Sequence, residues 1–101
     1  MIGENQRRVD AYAAGHGYET ITDYTSRHQV GWSPEVNDRF ISDSMTEGRE
    51  IVDIGPDFDR RRNEGRGPSS HYGRERMQTK NYDNRTKAFE RTGKNTGEIK
   101  D

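Results

Sequence analysis

The chain reads SPEVNDRFISDSMTEGREIVDIGP over residues 33–56, and this stretch holds its most strongly patterned helix and strand. A helix should begin at Ser33 and Pro34, because the serine oxygen can accept from the first free N–H groups and proline presets the first helical φ. An apolar stripe then follows at helical spacing: Val36, Phe40, Ile41 and Met45. Gly48 is typical of the residue just past a helix C-terminus.

The helix is followed directly by the β-branched run IVDI, residues 51–54, which Gly55 and Pro56 end. Such a run predicts a short buried strand. In a chain of 101 residues, a helix followed by a core strand predicts a single domain, residues 1–101. We expect an α+β fold in which two or three short helices pack on a small sheet and loops are abundant.

Working outward, residues 5–14 predict a short helix that Gly15 ends, and the loose alternation over residues 18–24 favours a strand or an extended segment. Downstream, Pro-Ser-Ser at 68–70 predicts a second capped helix that reaches about Thr79. Residues 82–89 favour a last short strand.

Two segments look irregular from their composition. Residues 60–67 contain four arginines and no apolar side chain, which indicates a mobile basic loop. Residues 93–101 predict a frayed tail. No run approaches the roughly 20 apolar residues of a membrane span, so we expect no membrane partner.

The chain contains no cysteine, and hydrophobic residues make up only 26% of it. A disulfide framework and a thiolate metal site are therefore excluded. Through Asp59 there are 5 Lys and Arg against 12 Asp and Glu, whereas from Arg60 onward there are 12 against 6, although the net charge is only −1. Such asymmetry favours a polyanionic partner, an acidic protein partner, or both.

The basic half surrounds a candidate acid–base pair. His71 and Glu75 share a face of the second capped helix at i, i+4, with Arg74 beside them. RNA cleavage without a metal needs a group to take the 2′-hydroxyl proton, a group to protonate the leaving oxygen, and cations that hold phosphate. We predict His71, Glu75 and Arg74 as catalytic residues. The predicted nucleic-acid-binding residues are Lys80, Arg85, Lys87, Arg76 and Tyr72, with no metal and no cofactor.

Other interpretations stay open at this point. Glu75 would merely form ion pairs if the helix were a solvated surface element. A weaker, metal-dependent alternative uses Asp53, Asp57 and Asp59 with the Glu-Ile-Lys run at 98–100 as a nuclease-type carboxylate site.

Three short motifs carry a family resemblance: GREIVDIGPDF at 48–58, PSSHY at 68–72 with Glu75, and KAFER at 87–91. Through them, residues 32–91 resemble the variable C-terminal toxin domains of bacterial Rhs-type polymorphic toxins. The resemblance implies an antibacterial effector that is delivered as part of a larger secreted protein and acts in the cytoplasm of the target cell. It also implies a cognate immunity protein, for which we expect an acidic surface facing residues 60–91.

Toxin domains of this type include ribonucleases, deoxyribonucleases, ADP-ribosyltransferases, deaminases and NAD hydrolases. The basic half favours a metal-independent ribonuclease, because Lys and Arg contacts to phosphate dominate nucleic-acid affinity. The alternative enzyme is a NAD-consuming ADP-ribosyltransferase, with Glu75 as catalytic carboxylate and Tyr72 stacking on nicotinamide. A non-enzymatic module that binds protein or nucleic acid is the third possibility.

Overall fold

The computed structural model describes residues 1–92 and 96–99, with side chains for residues 1–88. Over these residues the fold is α+β, as predicted. The helices are α1 (Gln6–His16), α2 (Ile21–His28), α3 (Pro34–Thr46), α4 (Phe58–Glu64) and α5 (Ser70–Thr79). The strands are β1 (Ile51–Asp53), β2 (Arg85–Lys87), β3 (Phe89–Thr92) and β4 (Thr96–Ile99).

Strand β1 lies at the centre of the fold. It pairs in parallel with β2, with Ile51 opposite Arg85 and Asp53 opposite Lys87. On its other edge, Ile2 forms a parallel bridge and exchanges backbone hydrogen bonds with β1 and the residue that follows it. β3 and β4 form a separate antiparallel pair. The central strand is thus hydrogen-bonded along both edges.

The alternation of side chains along β1 divides the core into two clusters. Val52 and Ile54 pack with Val9 and Ala13 of α1 on one face. Ile51 belongs to the second cluster, which contains Ile2, Ile21, Tyr24, Phe40 and Ile41 from α2, α3 and the N-terminal segment. Because side chains alternate along a strand, Asp53 points to the same face as Ile51. Asp53 is fully buried on this face, where Tyr72 of α5 donates to its carboxylate.

The helices predicted from capping residues are confirmed. Ser33 Oγ accepts from Val36 N at 3.1 Å at the start of α3, and Gly48 has the positive φ of a residue that follows a helix end. Ser69 Oγ accepts from Tyr72 N at 3.4 Å at the start of α5. Helices α3 and α5 pack against each other, so the two helices predicted from their caps are neighbours in the fold.

The strand predicted over residues 18–24 is wrong, because α2 begins at Ile21. Thr20 lies just before the helix, and its backbone N–H donates to the carboxylate of Asp23 at 2.9 Å. This contact favours the helix start, and Ile21 and Tyr24 then lie on one buried face at i, i+3. The apparent period of two included Thr20, which precedes the helix, and Thr22, which lies on its exposed side.

The basic loop predicted over residues 60–67 is helical up to Glu64. Asp57 Oδ1 accepts from Arg60 N at 3.0 Å and so caps α4. The buried carboxylate of Glu4 holds Arg61 by two hydrogen bonds, at 2.6 and 2.8 Å. A helix without an apolar stripe is thus fixed by a distant ion pair, which local sequence does not show.

The frayed tail predicted over residues 93–101 instead contains strand β4, which pairs with β3. Residues 93–95 and 100–101 lie outside the described residues. None of the helices in the described part of the chain is long and apolar enough to cross a membrane.

Candidate active site

A cavity of about 400 Å³ opens where α1, α2, α3, α4 and α5 converge. Its lining residues are Gly3, Asn5 and Gln6 at the N-terminal side, Ile21, Thr22 and Thr25 of α2, Trp32, Asn37 of α3, Arg60 of α4, and Ser69, His71, Tyr72 and Glu75 at α5. Gly3 is required here, because a Cβ would lie 2.5 Å from Cγ1 of Ile54. The volume suits a ligand about the size of one nucleotide.

Helix α5 places the predicted acid–base pair in this cavity. His71 and Glu75 are one helical turn apart and both line it, at about 5–6 Å between Cβ atoms for such a pair. The imidazole is exposed, whereas Glu75 is only 6% exposed. The alternative in which Glu75 forms ion pairs on a solvated helix face is therefore wrong: Glu75 shares the buried face of α5 with Tyr72 and Thr79.

Burial makes the Glu75 carboxyl an unusually weak acid. Removal from water raises the pKa of its carboxyl from 4.5 to about 7. The hydrogen bond that Asn37 Nδ2 donates at 3.3 Å opposes this shift, and the negative charge of Asp53 reinforces it. A carboxyl with a pKa near 7 can take or give a proton at neutral pH, which is the property required of a general acid or base.

Asp53 is the buried carboxylate whose negative charge acts on Glu75. Its side chain is fully buried and accepts from Tyr72 Oη at 2.8 Å, from Arg85 Nη2 at 2.5 Å and from Gly55 N at 2.8 Å. Burial raises the pKa of the Tyr72 phenol far above its usual value, so Tyr72 remains a hydrogen-bond donor to Asp53. Its ring is 3% exposed, and it is therefore not available to stack on a base or on nicotinamide as predicted.

Trp32 supplies the exposed aromatic surface instead. Its side chain lines the cavity and is 49% exposed. The ring of His71 contacts it edge to face, with centroids 4.8 Å apart and planes at 86°. The indole thus contacts the imidazole and keeps about half of its surface exposed for a ligand.

Arg60 is the cation that lines the cavity. It pairs with Glu64 at 2.9 Å on the surface of α4, where an exposed i, i+4 pair is weak and easily exchanged. The guanidinium can therefore leave that pair for a phosphate. The sequence assigned Arg60 only to a solvated loop.

Arg74, predicted as catalytic, is absent from the cavity wall. Its exposed guanidinium forms a two-point ion pair with Asp38 of α3, with Nε 2.9 Å from Oδ1. Position 74 lies only about 60° from position 71 around the helix, so it is the ion pair with Asp38 that holds the guanidinium away from the cavity. Arg74 fastens α5 to α3.

The predicted nucleic-acid-binding cations lie elsewhere as well. Arg76, Lys80, Arg85 and Lys87 line a separate groove with Gly73 and Met77. The predicted site is therefore divided in two by α5, with the acid–base pair on one side and these cations on the other.

The carboxylates of the metal-dependent alternative are held apart by other partners. Asp53 bonds Tyr72 and Arg85, Asp57 caps α4, and Asp59 pairs with Arg62 at 2.9 Å. Among the residues that the structure describes, no group of three or more His, Asp or Glu could hold a metal ion. The side chains of the Glu-Ile-Lys run at 98–100 lie outside the described side chains.

Sequence analysis missed three cavity residues: Trp32, Asn37 and Arg60. Of these, Asn37 could have been identified from the sequence, because it is in phase with Phe40 and Ile41 on the apolar face of α3. In the structure it is 5% exposed. A polar side chain at a core-facing position needs a partner, which is here the Glu75 carboxylate.

Comparison with protein-family models, curated proteins and solved structures found no match to this chain. The function is therefore inferred from the side chains of the cavity and their chemistry, and the resemblance to Rhs-type toxin domains stays a prediction.

Proposed function

We propose that this protein is a metal-independent ribonuclease whose acid–base pair is Glu75 and His71. The observation that carries the proposal is the Glu75 carboxyl, buried in the wall of a nucleotide-sized cavity, with a pKa of about 7 and an imidazole one helical turn away. RNA contains its own nucleophile, the 2′-hydroxyl. An enzyme that provides a base, an acid and one cation supplies what its cleavage needs.

In the proposed reaction, ionised Glu75 removes the proton of the 2′-hydroxyl. The 2′ oxygen then attacks the adjacent phosphorus, forming a P–O2′ bond as the P–O5′ bond breaks. Protonated His71 gives its proton to the leaving 5′ oxygen. The products are a 2′,3′-cyclic phosphate and a free 5′-hydroxyl, and exchange with water restores both side chains.

The remaining cavity residues have binding roles in this scheme. Trp32 presents an exposed face on which a base can stack, and stacking is tolerant of base identity. Arg60 neutralises the charge that develops on the phosphate. The hydroxyl and amide side chains of the lining, such as Thr22, Thr25 and Asn5, can accept or donate hydrogen bonds to a ribose or base edge.

The biological setting that we propose is the one implied by the resemblance: an effector domain, delivered by a larger secreted protein, that acts in the cytoplasm of a target bacterium. An immunity protein would protect the producer. Its acidic surface would face the cations of residues 60–91, since opposite potentials speed encounter.

Expression of the protein in bacteria without an immunity protein tests the proposed toxin role and the proposed acid–base pair together. We expect growth arrest with degraded RNA, relieved by Glu75→Gln and by His71→Ala at equal levels of soluble protein. His28→Ala is the matched control, because this histidine contacts the ring of Tyr24 and does not line the cavity. Growth like that of an empty vector, with soluble wild-type protein present, would refute the toxin proposal.

A NAD-consuming transferase is the second candidate, and one observation favours it. The described cavity lining has a single buried carboxylate and a single arginine, Arg60, which suits the nicotinamide nucleotide half of NAD. In that case Trp32 would stack on nicotinamide in place of Tyr72. Addition of purified protein to a cell extract separates the candidates: intact RNA with consumed NAD would replace the ribonuclease by the transferase. No change in either would favour a binding module.

A further inference from the structure

The second groove, on the other side of α5, has a volume of about 520 Å³ and is lined by Gly73, Arg76, Met77, Lys80, Arg85 and Lys87. No carboxylate among the described side chains lines it. Arg76, Lys80 and Lys87 form no salt bridge with any of the described side chains. This sets the groove apart from the rest of the basic half, where carboxylates neutralise Arg60, Arg61, Arg62, Arg66 and Arg74.

Arg85 adds a second observation. Its side chain is 11% exposed and bonds Asp53 through Nη2, but its buried Nε has no hydrogen-bond acceptor in the described part of the chain. A buried donor without a partner costs about 1–3 kcal/mol. The groove therefore combines three cations that lack carboxylate partners with a fourth that is incompletely satisfied.

The geometry relates this groove to the cavity. At 100° per residue, Lys80 lies opposite His71 around α5. The two sites thus lie across one helix diameter, roughly 10–12 Å, and Lys80 is also about 13.5 Å further along the helix axis than His71. A polymer that wraps around α5 can reach both, whereas a mononucleotide cannot.

The composition of the groove favours phosphate over protein as its occupant. Two of its four cations are lysines, a residue that is depleted in protein–protein interfaces, and no aromatic side chain lines it in the part of the chain whose side chains are described. Lys and Arg together are the groups that neutralise a phosphodiester backbone. Gly73 leaves open space beside the helix, since a Cβ there would meet no atom within 4 Å.

We propose that this groove holds the backbone phosphates of a single-stranded RNA whose cleaved nucleotide occupies the cavity. The proposal rests on the proposed ribonuclease function and names its substrate as an extended strand that contacts both sides of α5. Base identity is not read in the groove, because its cations meet only phosphates.

Binding of 2′-O-methyl RNA tests the groove without cleavage, because the blocked 2′ oxygen cannot attack. A dinucleotide and an oligonucleotide of about a dozen residues would be titrated over a range of salt concentrations, with the double variant Lys80→Gln, Lys87→Gln. The matched control is Arg62→Gln, Arg66→Gln, which removes the same charge from exposed pairs outside the groove.

For the longer RNA, we expect the groove variant to flatten the slope of log affinity against log salt by roughly 1.4, about 0.7 for each lost phosphate contact on a single strand. The gain in affinity from dinucleotide to long RNA should shrink in parallel. The control should keep the wild-type slope and gain.

Equal slopes in the groove variant, the control and the wild type would overturn the groove proposal and leave an acidic protein surface as its occupant. The proposed ribonuclease fails separately, if unmodified RNA stays intact while the slope still depends on Lys80 and Lys87. If RNA is still cleaved but the salt slope does not depend on Lys80 and Lys87, the ribonuclease proposal stands and only the groove proposal is refuted.

Discussion

Glu75 Oε2 accepts a hydrogen bond from Asn37 Nδ2 at 3.3 Å, and this contact joins α5 to α3 at the wall of the cavity. Among the described residues, Asn37 is the one whose side chain donates a hydrogen bond to the buried Glu75 carboxylate. Because a donated hydrogen bond favours the ionised form, it holds the pKa of Glu75 below the value that burial alone would give. Asn37 is thus a positioning residue that tunes the proposed base.

Asn37→Leu should therefore move the activity profile toward alkaline pH. The pKa of Glu75 rises when the donor is lost, so a higher pH is needed to ionise the base. The measurement is the rate of RNA cleavage against pH, with Asn37→Ser as a milder variant should leucine disturb packing. Asp38→Asn, which breaks only the exposed pair with Arg74, should leave the profile in place. An unmoved profile in both Asn37 variants would show that Asn37 does not tune the base.

Glu75→Gln should change how stability depends on pH. The folded carboxyl has a pKa of about 7 against 4.5 when unfolded, so the folded state binds the proton more tightly. Its contribution to stability is full below about pH 4.5 and is lost as pH rises through 7. The variant lacks this loss, so its unfolding free energy relative to wild type should grow by roughly 3 kcal/mol between pH 4 and pH 8. Urea unfolding at a series of pH values measures it, and a constant difference would contradict burial of this group.

Trp32→Ala should weaken substrate binding with little effect on the chemical step. Loss of one base–aromatic stack corresponds to about a tenfold rise in KM, the low end of the usual range. Trp32→Phe should recover most of the affinity because it keeps an aromatic face. Val30→Ala is the control, as Val30 is similarly exposed at 44% but does not line the cavity. A fall in kcat alone would instead mean that the indole acts only by holding His71.

Glu4 should be essential for stability although its side chain does not line the cavity of the acid–base pair. Its buried carboxylate accepts two hydrogen bonds from Arg61 and one each from the backbone N–H groups of Asp57 and Ser69. Glu4→Ala leaves these donors without a partner, which should cost about 3 kcal/mol in chemical denaturation. Glu64→Ala, which removes exposed pairs, should cost less than about 1 kcal/mol. Similar losses in the two variants would refute the special role of Glu4.

The capped elements could be predicted from sequence because their signals are local. Ser33 and Pro34 mark the start of α3, and Ser69 marks that of α5. Helix α4 could not be predicted, since it depends on Arg61 reaching Glu4, which is 57 residues away along the chain. The strand predicted before Tyr24 failed because alternating threonines imitated a strand pattern.

The candidate site was predictable only in part, for a similar reason. His71 and Glu75 share a helix, so their spacing alone placed them on one face. The burial of Glu75 depends on α3 and β1, whose side chains Asn37 and Asp53 come from distant parts of the sequence. The cations were grouped by proximity along the chain, although α5 places Lys80 and His71 on opposite sides.

The most direct test of the central claim is cleavage of an oligodeoxynucleotide that contains one ribonucleotide, followed over a range of pH. We predict a cut only after the ribonucleotide, a 2′,3′-cyclic phosphate end, and an acidic limb of the pH profile near 7. Glu75→Gln should lose at least about a hundredfold in rate, the usual contribution of an acid–base group, whereas His28→Ala should not. Cleavage of the all-deoxy strand, or an undiminished rate in Glu75→Gln, would contradict the account.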